Sequence, residues 1–166
     1  MVMAHIETFE AYAEFTDFPV SDIGIQYPNT QENKKLRQMY FGDEPVDHPS
    51  KNELSLILDL FKYVSKPGDT VLDPMAGTGS LMLAAIGGRR VILMEMEEEL
   101  HKLQLRNLEY LQEFYNVDPT LVTLLQGDCR DLLIPDMADH LITSPPYGRT
   151  QANVCLLYTS PSPRDS

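Results

Sequence analysis

The chain has 166 residues, 43% of them hydrophobic, and a formal net charge of −12. This length and composition are typical of one globular domain and exclude a chain that is disordered throughout. The acidic balance counts against an extensive nucleic-acid-binding surface, because contacts to phosphates need lysine and arginine.

No stretch of the sequence is apolar over the length that a membrane span needs, and three glutamates interrupt the first 15 residues. A secretory signal would begin with basic residues and continue with an apolar run, so we expect a cytoplasmic protein without membrane contact. The two cysteines, Cys129 and Cys155, lack partners at metal-ligand spacing. We therefore expect no metal site.

The first part of the chain shows weak periodicity and several prolines and glycines. Residues 1–47 are expected to form an irregular arm with one short helix near residues 32–39. Apolar side chains then recur at spacings of three and four over residues 54–61, which predicts an amphipathic helix. Ser50 and Glu53 match a capping box at its start.

Short apolar runs and helical patterns alternate in the middle of the chain. They predict strands at residues 70–73, 90–96, 121–125 and 141–143, and helices at residues 81–86 and 98–115. The longer helix is expected to face inward with Leu100, Leu103, Leu108, Leu111 and Phe114. This alternation predicts a Rossmann-like α/β fold, an open and mostly parallel sheet with helices on both faces.

Gly77 and Gly79 lie in the predicted turn between the first strand and the following helix. Such a turn offers free backbone N–H groups, and glycine lets a ligand approach the backbone closely. The dinucleotide fingerprint requires a third glycine where this chain has Met82, and no Gly-Lys-Ser/Thr follows to form a phosphate loop. A nicotinamide dehydrogenase is therefore disfavoured.

Glu95 stands at the end of the second strand, where an acid can accept both hydroxyls of a ribose. A ribose without signs of a bound pyrophosphate favours S-adenosylmethionine as the cofactor. Asp73, at the end of the first strand, is placed to face the cofactor's amino acid portion. The alternative is that the glycines only shape a tight turn.

Asp128 follows the third strand and is a candidate acceptor for the cofactor's adenine amine. The alternative role is a turn or helix-cap aspartate, and the residue pattern alone leaves both open.

Ser144, Pro145, Pro146 and Tyr147 follow the last strand. An exocyclic amine is a poor nucleophile, so a catalyst must hold its hydrogens and stabilise the developing positive charge. The serine oxygen and the Pro145 carbonyl are suitable acceptors, the prolines make a stiff frame, and the tyrosine ring can stack on a flipped base. The alternative is a proline turn that ends a strand.

Residues 48–148 resemble the N4-cytosine/N6-adenine DNA methyltransferases. The matching features are residues 48–51, the segment 73–80, Glu95, Asp128 and residues 144–147. The resemblance implies base flipping and direct methyl transfer without a covalent enzyme intermediate. It also implies cofactor contacts from Pro74, Ala76 and Lys51, although Lys51 is equally explained as a solvated lysine. A serine at position 144 favours cytosine N4, with adenine N6 as the other option.

Related enzymes use similar motifs on RNA guanine and on protein glutamine, so an RNA or protein substrate remains an alternative. A non-catalytic module that binds S-adenosylmethionine is another. For the DNA enzyme, the resemblance implies site-specific methylation, with DNA and a restriction endonuclease as candidate partners. The sequence does not indicate an oligomeric state.

Residues 155–166 resemble the translation of a sequencing-library adapter, and an ordinary Ser/Pro tail is the alternative. We therefore expect an arm at residues 1–47, a partial methyltransferase domain at residues 48–154, and a non-native tail. Cys155 would then have no biological role. The family continues past the catalytic motif into a target-recognition region, so we expect the fragment alone to be inactive. A basic surface in that region would reconcile DNA binding with the acidic charge.

Overall fold

The computed structural model describes residues 16–21, 24–27, 30–42, 53–132 and 137–145. A short antiparallel pair, β1 (Val20–Ser21) and β2 (Gly24–Ile25), precedes helix α1 (Thr30–Phe41). The remaining elements, in chain order, are α2 (Leu54–Val64), β3 (Thr70–Asp73), a 3-10 helix (Ser80–Gly87), β4 (Arg90–Glu95), α3 (Glu98–Tyr115), β5 (Val122–Gln126) and β6 (His140–Leu141).

Strands β3 to β6 form one parallel sheet in the order β5-β4-β3-β6. Each of the first two crossovers, through the 3-10 helix and through α3, moves the chain one strand outward from β3. The chain then returns to place β6 on the opposite side of β3, where Leu72 pairs with Leu141. The direction of strand addition therefore reverses between β3 and β6, and the predicted open parallel sheet is confirmed.

The hydrophobic core lies on one face of this sheet. Side chains alternate along a strand, and Val71, Val91 and Val122 are in register on the same face. They pack with Leu54 and Phe61 of α2 in one buried cluster. The 3-10 helix is apolar around its circumference and joins this cluster. On the opposite face Leu141 is 64% exposed, and the second helical layer stays a prediction.

The start of α2 differs from the predicted capping box. Glu53 itself is the N-cap residue, and its side chain accepts a hydrogen bond from the Ser55 N–H at 3.1 Å. A second cap comes from α1, since Asn33 Oδ1 accepts from the Leu54 N–H at 3.0 Å. Ser50 lies outside the described residues. The capping box was therefore wrong in placing Glu53 inside the first turn, and the sequence motif held no sign of the contact from Asn33.

The long helix α3 has the predicted bounds and buries Leu100, Leu103 and Leu111. The prediction that Phe114 faces inward is wrong, because this side chain is 58% exposed and packs against the Tyr110 ring at a centroid distance of 4.4 Å. In the last turn it is Tyr115 that turns toward α1, where its hydroxyl donates to the Met39 carbonyl at 2.7 Å.

The helix predicted near residues 32–39 is α1, which spans Thr30–Phe41 and packs on α2 and α3. The assignment of residues 1–47 to a separate arm stays a prediction, as do the boundaries at residues 48, 154 and 155. Among the helices that the structure describes, none combines the length and the apolar character required to span a bilayer.

Candidate active site

Predicted site residues from four strands meet at one edge of the sheet. Asp73 ends β3, Glu95 ends β4, Asp128 stands two residues after β5, and Ser144 stands three residues after β6. Because all four strands are parallel, these positions lie at the same carboxyl edge. The sheet thus brings together residues that are up to 71 positions apart in the sequence.

Backbone hydrogen bonds hold the segments that follow the strands against their neighbours. The Ala76 N–H donates to the Met94 carbonyl at 3.0 Å, and the Gly127 N–H donates to the Glu95 carbonyl at 3.0 Å. Beyond β6, the Ile142 N–H donates to the Leu72 carbonyl at 3.0 Å. These bonds extend the sheet by a residue or two and fix where each loop begins.

The glycine turn after β3 adopts left-handed backbone conformations, with φ of +53° at Gly77 and +82° at Gly79. At Gly79 a Cβ atom would lie 3.0 Å from Gln104 Cγ, so close packing against α3 requires a glycine. At Gly77 a Cβ would meet nothing within 4 Å. Gly77 therefore borders open space, which suits a ligand that approaches the backbone.

Three polar side chains from β4 and α3 form hydrogen bonds to the backbone of this turn. Glu95 Oε2 accepts from the Gly77 N–H at 2.8 Å, and Gln104 Nε2 donates to the Gly77 carbonyl at 2.8 Å. Asn107 Nδ2 donates to the Thr78 carbonyl at 3.0 Å. Both peptide groups around Gly77 are thereby fixed by side chains from β4 and α3.

The fourth support comes from α1. Arg37 is 5% exposed, and its guanidinium donates to Thr78 Oγ1 at 2.8 Å and to Ser80 Oγ at 3.2 Å. Sequence reasoning placed Arg37 in an irregular arm and missed it, since nothing local to residue 37 indicates a partner more than 40 positions away.

Gln104 and Asn107 were also missed, although the sequence held a signal for them. Both interrupt the apolar stripe of α3 between Leu103 and Leu111, and both are at most 2% exposed. Polar side chains on the buried stripe of an amphipathic helix need hydrogen-bond partners. Such positions indicate a polar contact inside the fold.

Asp73 is 5% exposed and accepts a hydrogen bond from the Met75 N–H at 3.0 Å. Burial, together with the neighbouring charge of Glu95, raises the pKa of Asp73 to about 6, and the side chain of Thr143 lies beside it. The carboxylate is mostly ionised at neutral pH, although burial makes its ionised form less stable than it would be in water. A cationic ligand such as the ammonium of an amino acid would offset this effect of burial.

Glu95 is 5% exposed, and each of its carboxylate oxygens accepts one backbone hydrogen bond. Besides the bond to Gly77, Oε1 accepts from the Glu97 N–H at 2.9 Å. A carboxylate oxygen has two lone pairs, so one acceptor position remains on each oxygen for a ribose hydroxyl. The geometry fits the predicted role.

Asp128 takes the capping role that the sequence left open. Its side chain accepts from the Arg130 N–H at 2.9 Å at the start of a short 3-10 turn (Cys129–Asp131). It also accepts from Arg130 Nε at 2.9 Å. These hydrogen bonds with Arg130 lower the pKa of Asp128 to about 2. Contact with a cofactor adenine stays a prediction.

The other predicted site residues divide into three groups. Ala76 is buried with its N–H used inside the fold, so it shapes the turn, and Pro74 is half-buried. Ser144 and Pro145 are exposed beyond the end of β6, open to a substrate. Lys51, Pro146 and Tyr147 lie outside the described residues.

This edge of the sheet can bind a molecule with a cationic amino acid part and a ribose. Asp73 suits the ammonium group, Glu95 suits the hydroxyls, and the open space at Gly77 accommodates the atoms between them. Within residues 16–21, 24–27, 30–42, 53–132 and 137–145, the structure places no group of three His, Cys, Asp or Glu side chains where they could hold a metal ion.

Comparison with known proteins supports this chemistry. The N6/N4 methyltransferase model, described as DNA methylase, matches residues 12–106, more than half of the chain. The matched segment contains the glycine turn and Glu95 but stops before Ser144.

Two curated relatives match over shorter segments. A tRNA (guanine(10)-N2)-dimethyltransferase of Methanothermobacter thermautotrophicus is 32% identical over 84 residues, which are 50% of this chain and 23% of the relative. The DNA adenine methyltransferase YhdJ of Escherichia coli is 36% identical over 81 residues, which are 47% of this chain and 27% of the relative. The chain therefore spans about a quarter of the length of these relatives.

Among solved structures, a methyltransferase from Pyrococcus furiosus superimposes with a TM-score of 0.50 at 21% identity. The superposition covers 70% of this chain and 59% of that one. This likeness supports the Rossmann-like fold assigned from the strand order.

Proposed function

The chain belongs to the N6/N4 DNA methylase family, and from that premise we propose that it methylates the exocyclic amine of a DNA base. One observation carries the proposal. The strand order reverses between β3 and β6, and the gap between the ends of these two strands is the topological switch point of the sheet. The glycine turn follows β3 on one side of this gap, and the exposed residues Ser144 and Pro145 follow β6 on the other side. In open α/β sheets, ligands bind at such a point.

The family uses S-adenosylmethionine, and the cofactor prediction is confirmed by membership of it. When bound, this cofactor supplies an electrophilic methyl group on a sulfonium. The chain's own residues would hold it through Asp73 at the amino acid part and Glu95 at the ribose. Gly77 would leave room for the atoms between, and Pro74 and Ala76 shape the turn.

The substrate amine would be held on the β6 side of the switch point. Ser144 Oγ and the Pro145 carbonyl accept the two amine hydrogens, which turns the nitrogen lone pair toward the cofactor side. Both acceptors also stabilise the positive charge that develops on the nitrogen. Tyr147 is proposed to stack on the flipped base.

The proposed base is cytosine, methylated at N4, with adenine N6 as the other member of the class. The relative YhdJ is a DNA adenine methyltransferase and supports the adenine option, while Ser144 supports cytosine. Site-specific DNA binding and a restriction endonuclease as partner belong to the same proposal.

The experiment uses the full-length protein that contains this chain, incubated with duplex DNA and S-adenosylmethionine. Nucleoside mass spectrometry then identifies the product. We expect N4-methylcytosine or N6-methyladenine, and a loss of about a hundredfold or more in rate for Ser144→Ala. Thr123→Ala is the matched control. Thr123 is exposed on β5, away from the carboxyl edge of the sheet, so this variant should keep the wild-type rate.

A second candidate is methylation of a guanine amine in RNA. The observation that favours it is the 32% identity to a tRNA (guanine(10)-N2)-dimethyltransferase. The same assay with transfer RNA separates the two candidates, because this enzyme class would yield N2-methylguanosine in RNA and no methylated base in DNA. That result would overturn the DNA proposal while leaving the cofactor assignment in place.

A further inference from the structure

We propose that Arg37 is a positioning residue for the cofactor: it holds the glycine turn in its binding conformation through the hydroxyls of Thr78 and Ser80. The inference rests on the proposed function only in that the turn binds S-adenosylmethionine. It assigns a role in that site to helix α1, which contributes none of the residues predicted to contact cofactor or substrate.

The contacts place the guanidinium directly behind the turn. Nη2 donates to Thr78 Oγ1 at 2.8 Å and Nη1 donates to Ser80 Oγ at 3.2 Å. Thr78 lies between the two glycines, and Ser80 is the first residue of the 3-10 helix. Arg37 therefore links the residue between the two glycines to the first residue of the 3-10 helix that follows.

Arg37 is 5% exposed, Thr78 is 6% exposed and Ser80 is 4% exposed. A guanidinium this deeply buried does not reach an incoming ligand, so it acts through the two hydroxyls. Burying a charged group is unfavourable unless its hydrogen bonds are made inside the protein. Arg37 makes such hydrogen bonds to the hydroxyls of Thr78 and Ser80, the two residues that flank Gly79 in the turn.

The other bonds to the turn complete the argument. Gln104 and Asn107 fix the carbonyls of Gly77 and Thr78, and Glu95 fixes the Gly77 N–H. Those three side chains hold the main chain, whereas Arg37 holds the side chains that flank Gly79. A turn with two left-handed glycines has high conformational freedom, and fixing it before binding reduces the entropy lost on binding.

The geometry also favours arginine over lysine. The two acceptor oxygens belong to residues 78 and 80, and two different nitrogens of the planar guanidinium donate to them. A lysine ammonium carries all its donors on one nitrogen and does not reproduce this two-nitrogen geometry. Arg37→Lys should therefore retain the charge and lose part of the effect.

The test measures the Kd of S-adenosylmethionine for the 166-residue chain by isothermal titration calorimetry, well below the unfolding temperature. We expect Arg37→Met to weaken binding by about ten- to a hundredfold, which corresponds to loss of hydrogen bonds from a charged donor. Arg37→Lys should fall between. Lys35→Met removes an exposed cation from the same helix and should leave Kd unchanged.

Thr78→Val provides a second route that leaves Arg37 in place. If Arg37 acts through this hydroxyl, Thr78→Val also weakens binding, and the double variant is less impaired than the product of the two single effects. This arm keeps the proposal testable where Arg37→Met fails to fold.

Two results would overturn the proposal. A folded Arg37→Met chain with a lower unfolding temperature but a Kd within about twofold of wild type would assign Arg37 to structure alone. A wild-type chain that does not bind S-adenosylmethionine would remove the cofactor site and this inference with it. The wild-type titration distinguishes the second failure from the first.

Discussion

Gly77 and Gly79 share a left-handed backbone, yet a side chain would have different effects at the two positions. In Gly79→Ala the new Cβ meets Gln104 Cγ at 3.0 Å in addition to the backbone strain. We expect a decrease of about 2–4 kcal/mol in the free energy of unfolding, measured by urea denaturation.

In Gly77→Ala the Cβ enters open space, so only the backbone strain of about 1–2 kcal/mol should appear in the unfolding experiment. Because that space is where the cofactor is proposed to lie, this variant should show the larger loss of S-adenosylmethionine affinity relative to its loss of stability. If Gly77→Ala and Gly79→Ala lost the same affinity for each kcal/mol of lost stability, that result would argue against a cofactor over Gly77.

Asp73 gives a pH dependence whose sign follows from its raised pKa. Burial raises the pKa of Asp73 from 3.8 to about 6, so the folded chain binds a proton that the unfolded chain has released between these values. Stability from this group therefore decreases as pH rises from 4 to 6 and stays low above it. Asp73→Asn should stabilise the cofactor-free chain by up to about 3 kcal/mol at pH 7.

That gain should shrink as pH falls through 6 and vanish only below 3.8, where Asp73 is protonated in both the folded and the unfolded chain. The same substitution should weaken S-adenosylmethionine binding, since the ionised carboxylate is the proposed partner of the ammonium group. Unfolding curves and titrations at pH 4.5 and 7.5 check both effects. Tighter cofactor binding by Asp73→Asn would contradict the assigned role.

At the scale of single residues, the sequence predicts those whose environment is local. Gly77, Gly79 and Asp73 belong to one turn, and Glu95 ends the next strand, so pattern and spacing are sufficient. The supports of the turn lie farther away: Gln104 is 27 positions from its partner, and Arg37 is 41 from Thr78. Only the folded chain shows such contacts.

Helix α3 shows what periodicity predicts about an element and where it fails. The repeat places Leu100, Leu103 and Leu111 correctly against the core. It fails in the last turn, because there Tyr115 faces α1 while Phe114 turns to solvent. A period measures which side of a helix is apolar, but it does not show where the neighbouring elements stop.

The same helix offers a matched pair of substitutions. Leu111 is fully buried, so Leu111→Ala should lower the free energy of unfolding by about 2–5 kcal/mol. Phe114 is 58% exposed, and Phe114→Ala should cost about 1 kcal/mol, mostly from its contact with Tyr110. Thermal or urea unfolding measures both. A larger loss of stability for Phe114→Ala than for Leu111→Ala would indicate that Phe114 faces inward, as the sequence predicts.

Strand β6 illustrates a limit of prediction at the level of elements. The sequence predicts a strand at residues 141–143, and the structure has it at His140–Leu141, paired with β3. Its place beside β3 depends on contacts between positions about 70 apart, such as His140 Nε2 to Asp69 Oδ2 at 3.1 Å. The alternation of strands and helices predicts a parallel sheet, but it does not predict which strand lies beside which.

At the scale of the whole molecule, the charge and the function must be reconciled. The chain has 13 lysines and arginines against 25 aspartates and glutamates. DNA affinity depends on phosphate contacts, and an acidic protein is repelled by the duplex at moderate salt. The family match and the cofactor geometry concern the part of the fold that binds a small molecule. Affinity for DNA would then reside in other parts of a longer protein, as the relatives' greater length allows.

The 166-residue chain should therefore bind S-adenosylmethionine without methylating DNA. Titration calorimetry should detect the cofactor, whereas transfer of a tritiated methyl group to duplex DNA should stay at background. The full-length protein is the positive control for the same preparation of DNA.

The reason is energetic: extracting a base from the duplex costs a few kcal/mol, and contacts to phosphates and neighbouring bases must compensate for it. With a net charge of −12, the chain as a whole repels the phosphates instead of attracting them. Lowering the salt concentration should not restore activity, since weaker screening strengthens repulsion between like charges. Site-specific methylation by the isolated chain would instead locate target recognition within these residues, with Ser144 and Pro145 already in reach of the base.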